Sequence, residues 1–222
     1  MNAPARPTTA SPAGGIDLAS AILLCAAAGM VDAVGFVRHG AFAANMTGNS
    51  VLMAIALAER DFARAFDCGL MLAWFYAGVL VGRVAWTAGH RRATLPLVVE
   101  VVLLAFCAVA VADRALSLGV TALAMGVQAA ALSRFAGVSL STVVVTSTMV
   151  RIAEANADLL VRFTRGRVAA ERAPLALLAG AWVAYAAGAA AAVLLGPASA
   201  TPLVVAAGMV AAVVVARHRR RV

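Results

Sequence analysis

The feature that most constrains this chain is a series of apolar runs too long and too numerous for the interior of a small soluble domain. Six of them, at residues 18–37, 66–86, 95–112, 115–134, 174–196 and 198–216, approach the ~20 helical residues needed to cross a ~30 Å hydrocarbon layer. Composition agrees. Hydrophobic residues make up 64% of the 222 and charged residues 13%, against roughly 45–50% and about 25% in soluble proteins. So little charge cannot cover a water-facing surface, so lipid is the solvent for most of the chain. In lipid every backbone N–H and C=O must be paired internally. Without the alternating ten-residue pattern of a barrel, that means helices. Pro96, Pro174 and Pro202 fall where first turns are expected, positions at which the missing N–H costs nothing.

Two further apolar stretches are too short to cross. Residues 45–58 and 138–150 reach only ~20 Å at 1.5 Å per residue. Each either lies along the interface or dips into the bundle and returns, and irregular backbone at that depth survives only inside protein or beside a water-filled cavity. All 18 basic residues are Arg, beside 10 acids, for a net charge of +8. With the N-terminus in the cytoplasm, six spans put fourteen arginines inside. Arg38, Arg60, Arg64 and Arg114 remain outside, nearly balanced by Glu59, Asp61, Asp67 and Asp113. This satisfies the positive-inside rule and predicts a multi-pass protein of a bacterial inner membrane with both termini cytoplasmic. The arginines sit between spans and in the basic tail 217–222, as if facing anionic lipid rather than nucleic acid. Residues 1–17 read as a disordered tail followed by an uncleaved first helix, and 18–216 as one transmembrane domain. Cys25, Cys68 and Cys107 stand singly in apolar sequence and read as small buried hydrophobes.

A faint internal echo divides that domain into a unit at 18–112 and another at 115–216. The run Met46-Thr47-Gly48-Asn49-Ser50 aligns with Val145-Thr146-Ser147-Thr148-Met149. Upstream of each run a span carries Gly and then a polar residue, Gly29 with Asp32 and Gly126 with Gln128. Downstream come Trp74 to Gly78 and Trp182 to Tyr185. Three crossings per unit is an odd number, so the second copy enters from the opposite face. Such inverted repeats with broken helices at the midplane recur in secondary transporters. Small residues four apart, Gly78 with Gly82 and Gly180 with Ala184 and Gly188, predict close helix packing. The Gly78/Gly82 face also offers a surface for a homodimer.

The run from Gly29 to Phe36, followed by Phe42-Ala-Ala-Asn-Met-Thr-Gly-Asn-Ser50, resembles the signature of the YoaK-like family of small bacterial inner-membrane proteins. Ala124 to Gln128 and Thr146-Ser147-Thr148 resemble its second signature, and Glu100 stands where members usually carry Glu. The resemblance covers nearly the whole chain after the tail and implies a polytopic protein of six or seven spans. It implies no particular activity, since the family is a domain of unknown function. This chain departs from the family pattern at Ala129, usually Asn, and at Ser147, usually Gly.

The polar residues inside apolar sequence each carry two readings. An ionised carboxylate in a span costs ~2.5–3.5 kcal/mol on insertion scales. Asp32 is therefore either a cation or proton site facing a cavity, or an acceptor that locks the Thr47-Gly48-Asn49 turn. Glu100 either couples to protons or pairs with Arg83, Arg91 or Arg92 at the inner rim. Gln128 lines a site or bonds helix to helix. Asn45-Met46-Thr47-Gly48-Asn49 reads as a cap feeding a helix N-terminus, which offers partial positive charge to an anion if buried. Trp74, Tyr76, Trp86, Trp182 and Tyr185 read as packing or interfacial anchors.

Enzyme chemistry is not expected. The sequence has no HExxH, Walker loop or GxSxG, and its three histidines are too scattered for a metal site; no metal or cofactor is implied. The expectation is an all-α integral membrane protein with six transmembrane helices, two short re-entrant half-helices and a 3+3 inverted repeat. Its function is that of a small secondary transporter of a solute or ion. The site combines Asp32, Asn45, Thr47, Gly48, Asn49, Gln128, Thr146, Ser147 and Thr148, with Asp32 and Glu100 coupling to protons. The alternative is a scaffold or regulator whose polar residues hold the bundle together.

Overall fold

In the computed structural model, residues 18–88, 94–110, 113–135 and 173–220 are described, together with positions 153 and 157. Among these the chain is all helix: α1 (Leu18–His39), α2 (Met46–Ala58), α3 (Phe62–Ala88), α4 (Leu95–Ala110), α5 (Arg114–Phe135), α6 (Ala173–Leu194) and α7 (Thr201–Arg219). The six long apolar runs all appear as helices, and Pro96, Pro174 and Pro202 each stand second in theirs. Four helices are long and apolar enough to cross a membrane: Leu18–His39, Phe62–Thr87, Ala115–Leu132 and Thr201–Arg219. Met46–Ala58, Leu95–Ala110 and the stretch Ala179–Leu194 are apolar but shorter. The tail 1–17, the short stretch 138–150, Thr146, Ser147 and Thr148 lie outside the described residues.

Glycines set the packing. A Cβ on Gly29 would collide with the Tyr185 carbonyl, and one on Gly188 with the Ala26 carbonyl. The α1 and α6 backbones therefore touch, as small-xxx-small faces allow. Gly180 lies beside Leu18 and Ile22 at the start of α1, while Arg38 at its end donates to the carbonyls of Pro197 and Ser199. Residue numbers rise together along both helices, so α1 and α6 are parallel. A second pair repeats this geometry. A Cβ on Gly78 would strike the Leu123 carbonyl, one on Gly126 the Phe75 carbonyl, and one on Gly82 would approach Ala130 Cβ to 2.8 Å. Trp74 closes over Gly119, so α3 and α5 are also parallel. The Gly78/Gly82 face is therefore filled by α5 of the same chain, so any homodimer must use another surface.

Cys107 Sγ lies 3.6 Å from Ser117 Oγ, setting α4 antiparallel to α5. Helix α7 packs on both α1 and α4. The four helices α1, α5, α4 and α7 thus make a closed core, with α3 flanking α5 and α6 flanking α1. Leu24, Met30, Leu104, Leu118, Met125 and Val210 are fully buried in this core. Outward faces carry Phe62, Phe66, Tyr76, Leu80 and Val84 on α3 and Leu116 on α5, an apolar exterior that only a lipid solvent favours.

Candidate functional site

The polar cluster begins where α1 ends. Gly40 takes a positive φ of 74°, which glycine adopts without a Cβ penalty, and the chain doubles back along the last turns of α1. Ala41, Ala43 and Ala44 are buried there, and the Phe42 ring stacks on Phe36 with centroids 4.7 Å apart. Gly35 leaves room for this returning loop, since a Cβ would meet the Ala41 carbonyl oxygen at 2.9 Å.

At the bottom of the loop stands Asp32, 2% exposed and seven residues, or ~10 Å, short of the end of α1. Its Oδ1 accepts the Ala44 N–H at 2.6 Å and the Asn45 N–H at 3.3 Å. Its Oδ2 accepts the Tyr185 hydroxyl from α6. Asn45 caps α2, its Oδ1 accepting the Gly48 N–H at 3.1 Å. Asn49, one turn on and fully buried, spans back to Phe42. Its Oδ1 takes the Phe42 N–H at 2.8 Å and its Nδ2 donates to the Phe42 carbonyl at 2.6 Å. The Gly48 backbone lies against the Phe42 ring. These bonds hold the first turn of α2 against Phe42, so the chain bends sharply between the two. Asp32 and Asn49 thus pair the N–H groups of Phe42, Ala44 and Asn45 and the Phe42 carbonyl, as burial demands, and the carboxylate lies beside the α2 N-terminus, where negative charge is favoured.

Asp32, Asn45, Gly48 and Asn49 therefore come together. Thr47 does not join them; it is exposed on the outer face of α2, in an open groove shared with Met46, Ser50, Val51, Ala54 and Ile55. The carboxylate binds backbone N–H groups just before the expected Thr47-Gly48-Asn49 turn, and it is Asn49 that ties that turn down. Gln128 is buried elsewhere, its Nε2 donating to the Leu24 carbonyl at 3.2 Å across the contact between α5 and α1. Glu100 is 0% exposed on α4. Neither of its carboxyl oxygens has a hydrogen-bond partner among the described residues. Rim pairing with Arg83 is not formed, and Arg91 and Arg92 lie outside the described residues.

Two participants carry no site signal in the sequence alone. Tyr185 reads there as an anchor, yet its hydroxyl reaches Asp32. The signal available is complementarity, a phenol in one apolar run needing an acceptor and a carboxylate in another needing a donor. Arg38 counts in the sequence only as an outside charge, yet it holds the link between α6 and α7. No group of three or more metal-ligating side chains occurs among the described residues.

A buried polar loop set among long apolar helices, with an apolar exterior, defines a polytopic α-helical membrane protein. The chain belongs to the family described as protein of unknown function (DUF1275), whose model matches residues 20–216. It is 35% identical over 88 residues to the UPF0700 transmembrane protein YoaK of Bacillus subtilis (strain 168). That alignment covers 37% of this chain and 39% of the relative, so less than half of the relative's length is spanned. No solved structure matches the chain.

Proposed function

We propose that this protein is a small secondary transporter of the bacterial inner membrane. In this reading it has six spans (α1, α3, α4, α5, α6 and α7), α2 as a re-entrant half-helix, and two inverted halves. The reciprocal glycine crossings carry the proposal. Ala26 and Gly29 of α1 meet Tyr185 and Gly188 of α6, just as Leu123 and Gly126 of α5 meet Phe75 and Gly78 of α3. Adding 97 to the α1 numbers gives those of α5, and adding 110 to the α3 numbers gives those of α6, so one crossing maps onto the other. The third helices follow at a spacing of 106. Pro96-Leu97-Val98-Val99 repeats as Pro202-Leu203-Val204-Val205, and buried Leu97, Leu104 and Cys107 correspond to buried Leu203, Val210 and Val213. This register pairs Tyr185 with Phe75 and Asp32 with Ala129. It replaces the looser alignment of Trp74 with Trp182 and of Asp32 with Gln128.

Inverted halves with a helix broken inside the bundle are the construction through which secondary transporters alternate access. The α2 N-terminus, reached by a loop that descends along α1, supplies the half-helix. The solute site draws on Thr47 and Ser50, which line the open groove on α2; Thr146, Ser147 and Thr148, its expected partners by sequence, lie outside the described residues. The reading assigns no catalytic residue and no cofactor, and the Arg distribution supports cytoplasmic termini.

The competing reading, a non-transporting scaffold, draws support from how completely Asp32 and Asn49 spend their hydrogen bonds on the loop. Purified protein in liposomes, with a trapped pH-sensitive dye and separately with radiolabelled amino acids, carboxylic acids and sugars, distinguishes the two. Transport predicts flux that is lost in Thr47→Val/Ser50→Ala protein of unchanged stability. A scaffold predicts no flux with any of these solutes.

A further inference from the structure

Glu100 is buried on the inner face of α4 and neither oxygen is hydrogen-bonded among the described residues. Its depth follows from the contact of Cys107 with Ser117. Seven residues back along α4 is Glu100, and seven residues on along antiparallel α5 is Ala124, the eleventh of the 22 residues of α5. Glu100 therefore sits at mid-depth, level with the crossing of α5 and α3 at Leu123 and Gly126. Leu97 and Leu104, one turn away on α4, and Ala124 and Met125 on α5 are buried and apolar.

The charged groups on the packed elements lie toward their ends. On α3 they are Arg64, Asp67 and Arg83; on α5, Arg114 and Arg134; on α7, Arg217, His218 and Arg219. α4 itself carries no other charged residue. An isolated carboxylate at this depth is too costly to keep without a neutralising partner. A metal cation would need several oxygen ligands, and no group of three or more His, Cys, Asp or Glu side chains that could hold one occurs among the described residues. A proton needs one oxygen. Asp32 differs, because Ala44, Asn45 and Tyr185 already bind both its oxygens.

We propose that Glu100 is a reversible proton-binding site and the coupling group of this protein, whereas Asp32 is a fixed acceptor holding the α2 loop. The step is addition of H⁺ to one Glu100 oxygen, forming one O–H bond and cancelling one negative charge; release reverses it. The inference rests on the transporter reading for its role in coupling, but not for the site itself. The pseudo-twofold counterpart of Glu100 is Ala206, so the two halves share a frame while one alone carries the ionisable group.

The test uses the full chain in liposomes and a hydrophobic carbodiimide, which reacts with protonated carboxyls in apolar surroundings; peptide mass mapping locates the adduct. The expected result is labelling at Glu100 and not at Asp32, declining with rising pH and insensitive to replacement of sodium by choline. Glu100→Gln abolishes the adduct and any proton-linked uptake. No adduct at Glu100, an adduct indifferent to pH, or protection by sodium overturns the proposal, as does full proton-linked uptake in Glu100→Gln. If Glu100→Gln fails to fold, the pH profile of wild-type labelling decides alone. A titrating adduct in protein that transports none of the solutes tried upholds the site and removes the transporter reading.

Discussion

The two acids buried among the described residues show how differently one side-chain chemistry can be used. Asp32 accepts from the N–H groups of Ala44 and Asn45 and from the hydroxyl of Tyr185, so deleting it removes three hydrogen bonds at once. Leaving buried donors unpaired costs ~1–3 kcal/mol. Asp32→Ala should lose stability of that order in detergent unfolding titrations. Tyr185→Phe, which removes one donor and leaves the loop bonds intact, should lose about 1 kcal/mol or less. An Asp32→Ala protein as stable as wild type would show that the loop is held by Asn49 and packing alone. Asp32 and Glu100 are legible in the sequence because a carboxylate in an apolar run is conspicuous. Their division of labour is not, because Tyr185 lies 153 positions from Asp32 and nothing local announces that a phenol will arrive there.

At the scale of the helix, length and capping are readable while partners are not. Pro near the starts of α4, α6 and α7 and Asp61 and Asp113 ahead of α3 and α5 behave as local signals, the two acids accepting the N–H groups of Arg64 and Leu116 at 3.0 and 2.9 Å. Between α2 and α3, Arg60 adopts φ 63°, with the Asp61 N–H bonded to the Ala56 carbonyl. This is a helix end that glycine fits better. Arg60→Gly should therefore raise the melting midpoint slightly, by the equivalent of up to ~1 kcal/mol; a lower midpoint would mean that the arginine side chain contributes more than its backbone costs. The glycine crossings make the opposite prediction. Gly29→Ala or Gly126→Ala forces a methyl into a neighbouring carbonyl and must push the paired helices apart. Each should cost several times more than Gly208→Ala, whose Cβ would meet nothing within 4 Å. Thermal aggregation assays on the three variants test that ordering. The sequence marks Gly78 and Gly82 as a packing face but does not say that α5 of the same chain fills it.

For the whole molecule, the direction of α2 decides topology. If the loop folds back as Asn49 and Phe42 indicate, α2 returns to the face it came from. Single cysteines at 59–61 in a cysteine-free background should then react with a membrane-impermeant maleimide from the periplasmic side. Reaction from the cytoplasmic side would make α2 a full crossing and remove the six-span reading. The sequence by itself determined that the chain lives in lipid and that it is helical. It also marked most helix ends, since these follow from hydropathy, backbone satisfaction and local capping, which act over a few residues. The match of Pro96-Leu97-Val98-Val99 with Pro202-Leu203-Val204-Val205 is present in the sequence as well, but an Ala-rich and Val-rich chain matches itself so often that the pairing stands out only once the helices are placed. Only the tertiary structure decided which helices run parallel in contact, that Tyr185 meets Asp32, and that Glu100 meets no partner among the described residues. Those are facts of approach between segments distant along the chain, and no interaction within a single helix encodes them.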